Sequence, residues 1–333
     1  MAVYTRIGAE AMAELIAAFD VGELTSAKGI AEGVSNSNWL IETTGGAKGT
    51  GSKGSRRFIL TVYEERTEVE ELPFFLGLLD HLAAAGCPVP RTMHDRSGAA
   101  FREFATDTGE MKSLALIEFL PGISADKPTP AQAEAVGHAL AQVHLAALDY
   151  PRKRANSMGH AAWRRFAGAC DGRWGEIDAR LAVVPTAVEE VIAAWPQGLP
   201  QSVIHADLFP DNVLLVGDAV SGLIDFYFAC TGPMAYDLAV THAAWSFSPD
   251  GKRHDAAIGR AILTGYESVR PLSPEERAAL PILAEGAALR FVLTRAYDWL
   301  NTPADALVTR KDPCAFFERY EFYRTHGAQA FAA

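Results

Sequence analysis

At 333 residues the chain is long enough for one large or two medium domains, each with its own core. Apolar residues make up 49% and charged residues 21%, an ordinary globular balance, and a net charge of −11 argues against nucleic acid or an anionic membrane surface as the main partner. Four scattered cysteines, Cys87, Cys170, Cys230 and Cys314, form no CxxC pair, so they offer neither a zinc site nor a disulfide framework and fit a reducing compartment.

The first residues lack the basic-then-apolar pattern of a signal peptide, and no run approaches 18 uninterrupted apolar residues. The expectation is a cytoplasmic protein with no membrane span. Ala9 to Phe19 reads as an amphipathic helix. Lys28 to Asn38 is rich in glycine and small polar residues and leads into a strand, Trp39 to Thr43. Gly45 to Ser55 has turn composition throughout and reads as a long hairpin tip, after which Phe58 to Tyr63 returns as the antiparallel partner. A helix is expected from Glu70 to Ala85, stopped by Gly86 and by Pro88 and Pro90. Leu114 to Leu120 is a further strand, ended by Pro121-Gly122, where a boundary between two lobes is placed.

From Thr129 the pattern turns helical. Thr129-Pro130 gives an N-cap with proline in the first turn, and Ala133, Val136, Leu140 and Val143 form an apolar stripe. Residues 160–200 read as helical. Val203-Ile204, Val213 to Val216 and Gly222 to Ile224 are short strands around polar loops. Beyond Pro233 nearly everything reads as helix.

The densest chemistry lies in His205-Ala-Asp-Leu-Phe-Pro-Asp-Asn212 and Ile224-Asp225-Phe226. Phosphoryl transfer asks the protein for positioning and charge neutralisation rather than covalent chemistry. Magnesium takes oxygen donors and keeps several waters, so Asn212 and Asp225 with ATP phosphates suffice to hold it. Asp207, set apart from the metal, would face the acceptor hydroxyl and take its proton. An Asp-Asn loop on its own is an ordinary turn; His205 ahead of Asp207, and an apolar strand delivering Asp225, lift the constellation above that reading.

These residues resemble the H-x-D-x-x-x-x-N loop and the Asp-Phe-Gly-like motif of the aminoglycoside phosphotransferase and choline kinase superfamily, whose fold is shared with protein kinases. Tyr236-Asp237-Leu-Ala239 resembles a segment that often follows. The resemblance implies an α+β, protein-kinase-like bilobal fold. A small N-terminal lobe with an antiparallel sheet, residues 1–120, would bind nucleotide, with a hinge near 118–121. A larger, mainly helical C-terminal lobe, residues 121–333, would hold the catalytic loop and acceptor site. It also implies that Asp237 braces the catalytic loop and that His205 orients it. Longer strings outside the loop, including Lys28 to Asn38, Gly222 to Cys230 and Arg290 to Trp299, resemble the bacterial homoserine kinases of that superfamily. That implies ATP-Mg-dependent phosphorylation of L-homoserine, a step towards threonine.

Gly29, Gly33, Ser35, Asn36 and Asn38 are candidates for nucleotide contact, since glycines let backbone N–H groups approach phosphates. They are equally what a hairpin turn requires. Glu118 and Leu120 would supply the adenine contacts of the hinge. One departure stands out: where such kinases place a lysine on the third strand, this chain has Thr61. Arg57, Lys28 and Arg66 are alternative cations, and Glu70 and Glu71 lose their expected partner.

For the acceptor, an ammonium and a carboxylate call for an acid and an arginine. Arg290, Thr294 and Asp298 share a stripe at i, i+4 spacing, and Tyr227 could line the same pocket; a solvated Arg-to-Asp ladder is the plainer account. His144 reads as a core histidine, and Trp163 and Arg164 are undecided. Two other functions remain open. One is a related kinase for an amino alcohol, aminoglycoside or sugar; the other is a nucleotide-binding pseudokinase.

Overall fold

The computed structural model describes residues 5–30, 36–45, 55–64, 68–302 and 310–332. Gly33, Ser35, Arg66 and most of the expected hairpin tip at 45–55 lie outside the described residues. The chain divides into two compact units, Met1–Leu120 and Pro121–Ala333.

The amino-terminal unit is a mixed sheet-and-helix layer. Helix α1 (Ala9–Ala17) comes first, then strands β1 (Leu24–Ile30), β2 (Ser37–Thr43) and β3 (Arg56–Tyr63). Helix α2 (Leu72–Ala84) and strands β4 (Thr92–Met93), β5 (Arg102–Ala105) and β6 (Met111–Glu118) complete it. The strands form one antiparallel sheet in the order β1-β2-β3-β6-β4, with β5 also paired to β6. Strand β2 alternates strictly, burying Ser37, Trp39, Ile41 and Thr43. Trp39 and Ile41 join Phe58, Leu60, Val62, Leu114 and Leu116 against Met12 and Ile16 of α1, forming the core on one face. The opposite face carries the cross-strand rows Lys28–Leu40–Ile59–Ile117 and Ile30–Asn38–Thr61–Ala115.

Several boundaries move. Lys28 and Gly29 lie within β1 rather than in an open loop. Helix α1 stops two residues short of Phe19, which makes an isolated bridge to Asp95 instead. Glu70 and Glu71 form a 3-10 turn ahead of α2, which begins at Leu72. Gly86, in the left-handed region at φ +82, ends α2 as a residue with a Cβ would not readily do. Strand β6 runs Met111–Glu118, not 114–120, because its polar start pairs with β5 while Phe119 and Leu120 leave the ladder.

The carboxy-terminal unit is mainly helical. Helices α3 (Pro130–Ala146), α4 (His160–Ala169) and α5 (Val184–Ala193) precede strands β7 (Gln201–Ile204), β8 (Val213–Val216), β9 (Ala219–Leu223) and β10 (Cys230–Pro233). Helices α6 (Met234–Trp245), α7 (Ala256–Glu267), α8 (Pro274–Asn301) and α9 (Cys314–Ala330) follow. Capping boxes start both α3, with Thr129 and Gln132, and α8, with Ser273 and Glu276. The span 160–200 breaks into α4, α5 and two 3-10 segments rather than continuous helix. Strand β10, unmarked by any apolar alternation, pairs with β7, and β8 pairs with β9.

Every residue of α6 is buried, so it forms the centre of this unit. Helices α3 and α7 cross with their backbones nearly touching. A Cβ added at Gly137 would collide with the Ile262 carbonyl, and one at Gly265 with the Glu134 carbonyl. This close crossing seats Tyr266 of α7 against His144 of α3, 2.8 Å from hydroxyl to ring nitrogen.

Candidate active site

Strand β7 ends at Ile204, and the next eight residues form a loop fastened from both sides. His205 is buried; its Nε2 lies 2.9 Å from the Ile224 carbonyl, and the Asp207 N–H reaches its Nδ1 at 3.3 Å. A carbonyl can only accept, so Nε2 carries the proton and Nδ1 presents its lone pair. The ring is therefore neutral, in keeping with burial pushing its pKa down. Both nitrogens are spent on holding the loop, which makes His205 a brace rather than a proton carrier.

Asp237, in the first turn of α6, is fully buried. It accepts from His205 N–H at 2.7 Å, Ala206 N–H at 2.7 Å and His144 Nε2 at 2.9 Å. Burial alone would raise its pKa, yet the donors gathered on it bring the net shift downward, keeping the carboxylate charged. Ala206 stands in the left-handed region, φ 63, at a cost of roughly 1–2 kcal/mol for a residue with a Cβ. Its N–H is held by Asp237 and its carbonyl by Nη1 of Arg290. A strained residue persists where its surroundings over-determine it, and this one aims the next side chain.

That side chain is Asp207, partly open to solvent, with Oδ1 3.3 Å from Nη2 of Arg290. Burial raises its pKa, and the neighbouring Arg290 charge works against that rise. Asn212 donates Nδ2–H to the Asp207 carbonyl at 2.8 Å, which leaves Oδ1 with no partner among the described residues. Its carbonyl receives the Ile224 N–H at 3.0 Å, tying the loop to the end of β9. Two residues past that strand, Asp225 is also left-handed, φ 65, and its side chain is open to solvent. Although exposed, its carboxyl sits amid dense protein; desolvation, then the charges of Asp207 and Asp211, push it up to about 7. The charges of Asp207 and Asp211 are felt at Asp225, and a divalent cation there would relieve that repulsion. Among the described residues no group of three or more His, Cys, Asp or Glu side chains forms a protein-only metal cage.

The acceptor candidates do not come together as the helical stripe suggested. Arg290 is 3% exposed and committed to Ala206 and Asp207, so it is neither a solvated ladder nor free for a ligand. Thr294 turns its hydroxyl back on the helix, towards the Arg290 and Phe291 carbonyls, while Asp298 is exposed one turn further on. Tyr227 is half-buried in the turn after Asp225. His144 is in the core, Trp163 is buried with its indole N–H on the Met158 carbonyl, and Arg164 pairs with Glu189 at the surface.

In the amino-terminal unit, Thr61 is 3% exposed and donates to Asn38 Oδ1 at 2.8 Å. Asn36 accepts the Glu64 N–H through Oδ1, and Ser37 donates to Glu64 Oε1 at 2.6 Å. Glu64 also meets Lys112 Nζ at 3.0 Å, both largely enclosed. Asn36 and Asn38 thus spend side-chain oxygens inside the sheet. Arg57 lays its guanidinium over Phe119, 4.2 Å from the ring centre. Lys28 is exposed on β1, Glu118 accepts the Arg91 N–H, and Leu120 is half-buried.

Sequence reasoning missed the Arg290 clamp, the Glu64–Lys112 pair and a second arginine, Arg295. Each depends on partners distant in the chain, and no local pattern signals them.

Comparisons with known proteins agree over nearly the whole chain. It is 47% identical to homoserine kinase of Xanthobacter autotrophicus, covering 97% of this chain and 96% of that protein. It is 47% identical to homoserine kinase of Gluconobacter oxydans, covering 98% and 99%. Among solved structures, an amicoumacin kinase superposes with TM-score 0.71 at 14% identity, covering 96% of this chain and 94% of that one. A choline kinase from Cryptosporidium parvum gives 0.63 at 12%, covering 92% and 91%; these likenesses carry the kinase-like fold. The model of the phosphotransferase enzyme family matches residues 26–272, from β1 across the His205–Asn212 loop to just beyond α7, and the chain belongs to that family.

Proposed function

We propose that this chain transfers the γ-phosphoryl group of ATP to the side-chain hydroxyl of L-homoserine, giving O-phosphohomoserine and ADP, a step towards threonine. The observation that carries the chemistry is the fastened loop that presents Asp207 and Asn212, tied through the Ile224 N–H to the turn that bears Asp225. The acceptor rests on full-length relatives named homoserine kinase.

Asp207 orients the acceptor hydroxyl and takes its proton as the oxygen attacks the γ-phosphorus. The new P–O bond forms while the bond to the β,γ-bridging oxygen breaks, and its electron pair leaves with ADP. Arg290 fixes the carboxylate that does this, and His205 and Asp237 fix the backbone beneath it. Asn212 Oδ1 and Asp225 would hold magnesium, which supplies neutralisation of phosphate charge. The nucleotide is assigned to residues 1–120, with Gly29, Gly33, Ser35, Asn36, Asn38, Glu118 and Leu120 as its contacts. Because Asn36 and Asn38 turn their side-chain oxygens into the sheet, those two would act through backbone groups.

A panel of acceptors with γ-labelled ATP and magnesium tests the assignment. L-homoserine should be phosphorylated in preference to choline and an aminoglycoside. Transfer to either of those, with none to homoserine, overturns it.

A further inference from the structure

Arg295 lies five residues after Arg290 on α8, about 140° further round the helix, so it leaves the clamp on Asp207 and joins the stripe of Phe291. Phe291 packs on Phe209 of the catalytic loop, ring centres 4.9 Å apart, and on Phe316 of α9 at 4.7 Å. The Arg295 guanidinium covers Phe316 at 4.5 Å, and its Nη1 donates to the Asp312 carbonyl at 3.1 Å. Its Nε and Nη2, the edge that pairs side-on with a carboxylate, have no partner among the described residues. The residue is half-buried, so that edge stays reachable.

A second guanidinium shares the ring. Arg319 is 5% exposed and stands 4.0 Å from the Phe316 centre, with the Ser248 carbonyl as its hydrogen-bond acceptor and Nε unpartnered. No carboxylate contacts either arginine among the described residues. Burial pulls each group down to about 10, still protonated at neutral pH; the charge of Arg295 adds to the fall at Arg319, while Asp312 works against it at Arg295 and Asp250 at Arg319. A half-buried and a buried cation side by side, neither paired directly with a carboxylate among the described residues, leave room for an anionic ligand. The negative charges of Asp207 and Asp211 are felt at Arg295, so the cation lies within electrostatic range of the proposed base. The other cations near the loop are engaged: Arg290 holds Asp207, and the exposed Lys311 stands 4.0 Å from Asp211 and 5.9 Å from the Phe209 ring centre.

We propose that Arg295, backed by Arg319, receives the carboxylate of an amino-acid acceptor and so selects it over the corresponding amino alcohol. The inference rests on L-homoserine being the acceptor. Extended, that molecule separates hydroxyl from carboxylate by roughly 5 Å, a span that lets one end meet Asp207 while the other meets a cation on the adjoining aromatic cluster.

The test compares L-homoserine with 3-amino-1-propanol, the same molecule without its carboxylate, in wild type, Arg295→Gln and Arg295→Lys. Wild type should favour homoserine. Arg295→Gln should raise KM for homoserine roughly 30- to 1000-fold, leave KM for ATP within about threefold, and bring the kcat/KM ratio of the two acceptors close to one. Arg295→Lys should keep part of the preference, which loss of folding would not, and it carries the test if the Gln variant fails to fold. Wild type active on homoserine, with the ratio unchanged in both variants, overturns the role of Arg295 alone. Wild type inactive on homoserine overturns the acceptor assignment and this inference with it.

Discussion

The His205–Asn212 loop and the Asn36–Asn38 end of the sheet are both dense in polar residues, yet they spend their hydrogen bonds differently. Around Ala206 and Asp207 the bonds come from other elements: Asp237 from α6, Arg290 from α8, and His144 behind Asp237 from α3. They hold the left-handed Ala206 in place and leave Asp207 and Asn212 with oxygens to offer. In the sheet, Asn36, Ser37, Asn38, Thr61 and Glu64 bond to one another and offer little outward. A reacting group must be aimed to within fractions of an ångström, so its loop is anchored to rigid helices. A nucleotide can instead be gripped by backbone N–H groups, and there the side chains serve to hold the strands in register.

The sharpest way to break the comparison is at the base. Asp207→Asn keeps size and shape but removes the proton acceptor, and turnover should fall roughly 10²- to 10⁴-fold, about 2.7–5.5 kcal/mol of transition-state stabilisation. Nucleotide binding by calorimetry should be unchanged. Turnover within a few-fold of wild type would take the base role from Asp207. Next is the anchor itself: Asp237→Ala leaves two backbone N–H groups and His144 without their acceptor in a fully enclosed place. Urea unfolding should show about 3–5 kcal/mol lost, since uncompensated buried polar groups cost that much. A loss under about 1 kcal/mol would mean the loop does not depend on α6.

The amino-terminal unit has its own test, through pH. Glu64 is enclosed, which alone would raise its pKa; bonds from Ser37, Thr5 and Lys112 reverse this, and the net shift is below the usual 4.5. A carboxylate with a depressed native pKa adds stability that is present above its unfolded pKa and fades as pH falls through the native one. Glu64→Gln should therefore be less stable than wild type at neutral pH, with the gap closing as pH drops below about 4.5. A gap that is constant with pH would show that the pair with Lys112 contributes nothing.

Much of the proposed site was legible as a pattern because its parts are local. His205, Asp207, Asn212 and Asp225 fall within 21 residues, and the strand–loop alternation between them shows in the apolar pattern. The bilobal class and the capped start of α3 were legible for the same reason. Distance in the chain hid the rest. Arg290 reads as one member of a surface ladder until α8 is placed against a loop 83 residues earlier. The pairing of Arg295 with Phe316 depends on how α8 meets α9, and β10 alternates in burial although the residue types Cys-Thr-Gly-Pro do not show it. Strand β6 starts three residues earlier than expected because apolar side chains mark its middle and not its polar entry.

Thr61 is the finest point of the contrast, because its departure from the usual lysine suggests a functional gap while its surroundings suggest a structural fit. The residue is 3% exposed, on the row Asn38–Thr61–Ala115, and its hydroxyl donates to Asn38 Oδ1. Thr61→Val keeps the branched shape and removes that bond, so stability should drop by about 1 kcal/mol. KM for ATP should stay within about twofold, because no charge or outward donor is lost. A large rise in that KM with unchanged stability would reverse the argument, placing the phosphate grip on the third strand after all. The expected outcome leaves the grip to backbone groups and to cations elsewhere, and makes Thr61 a fastener of β2 to β3.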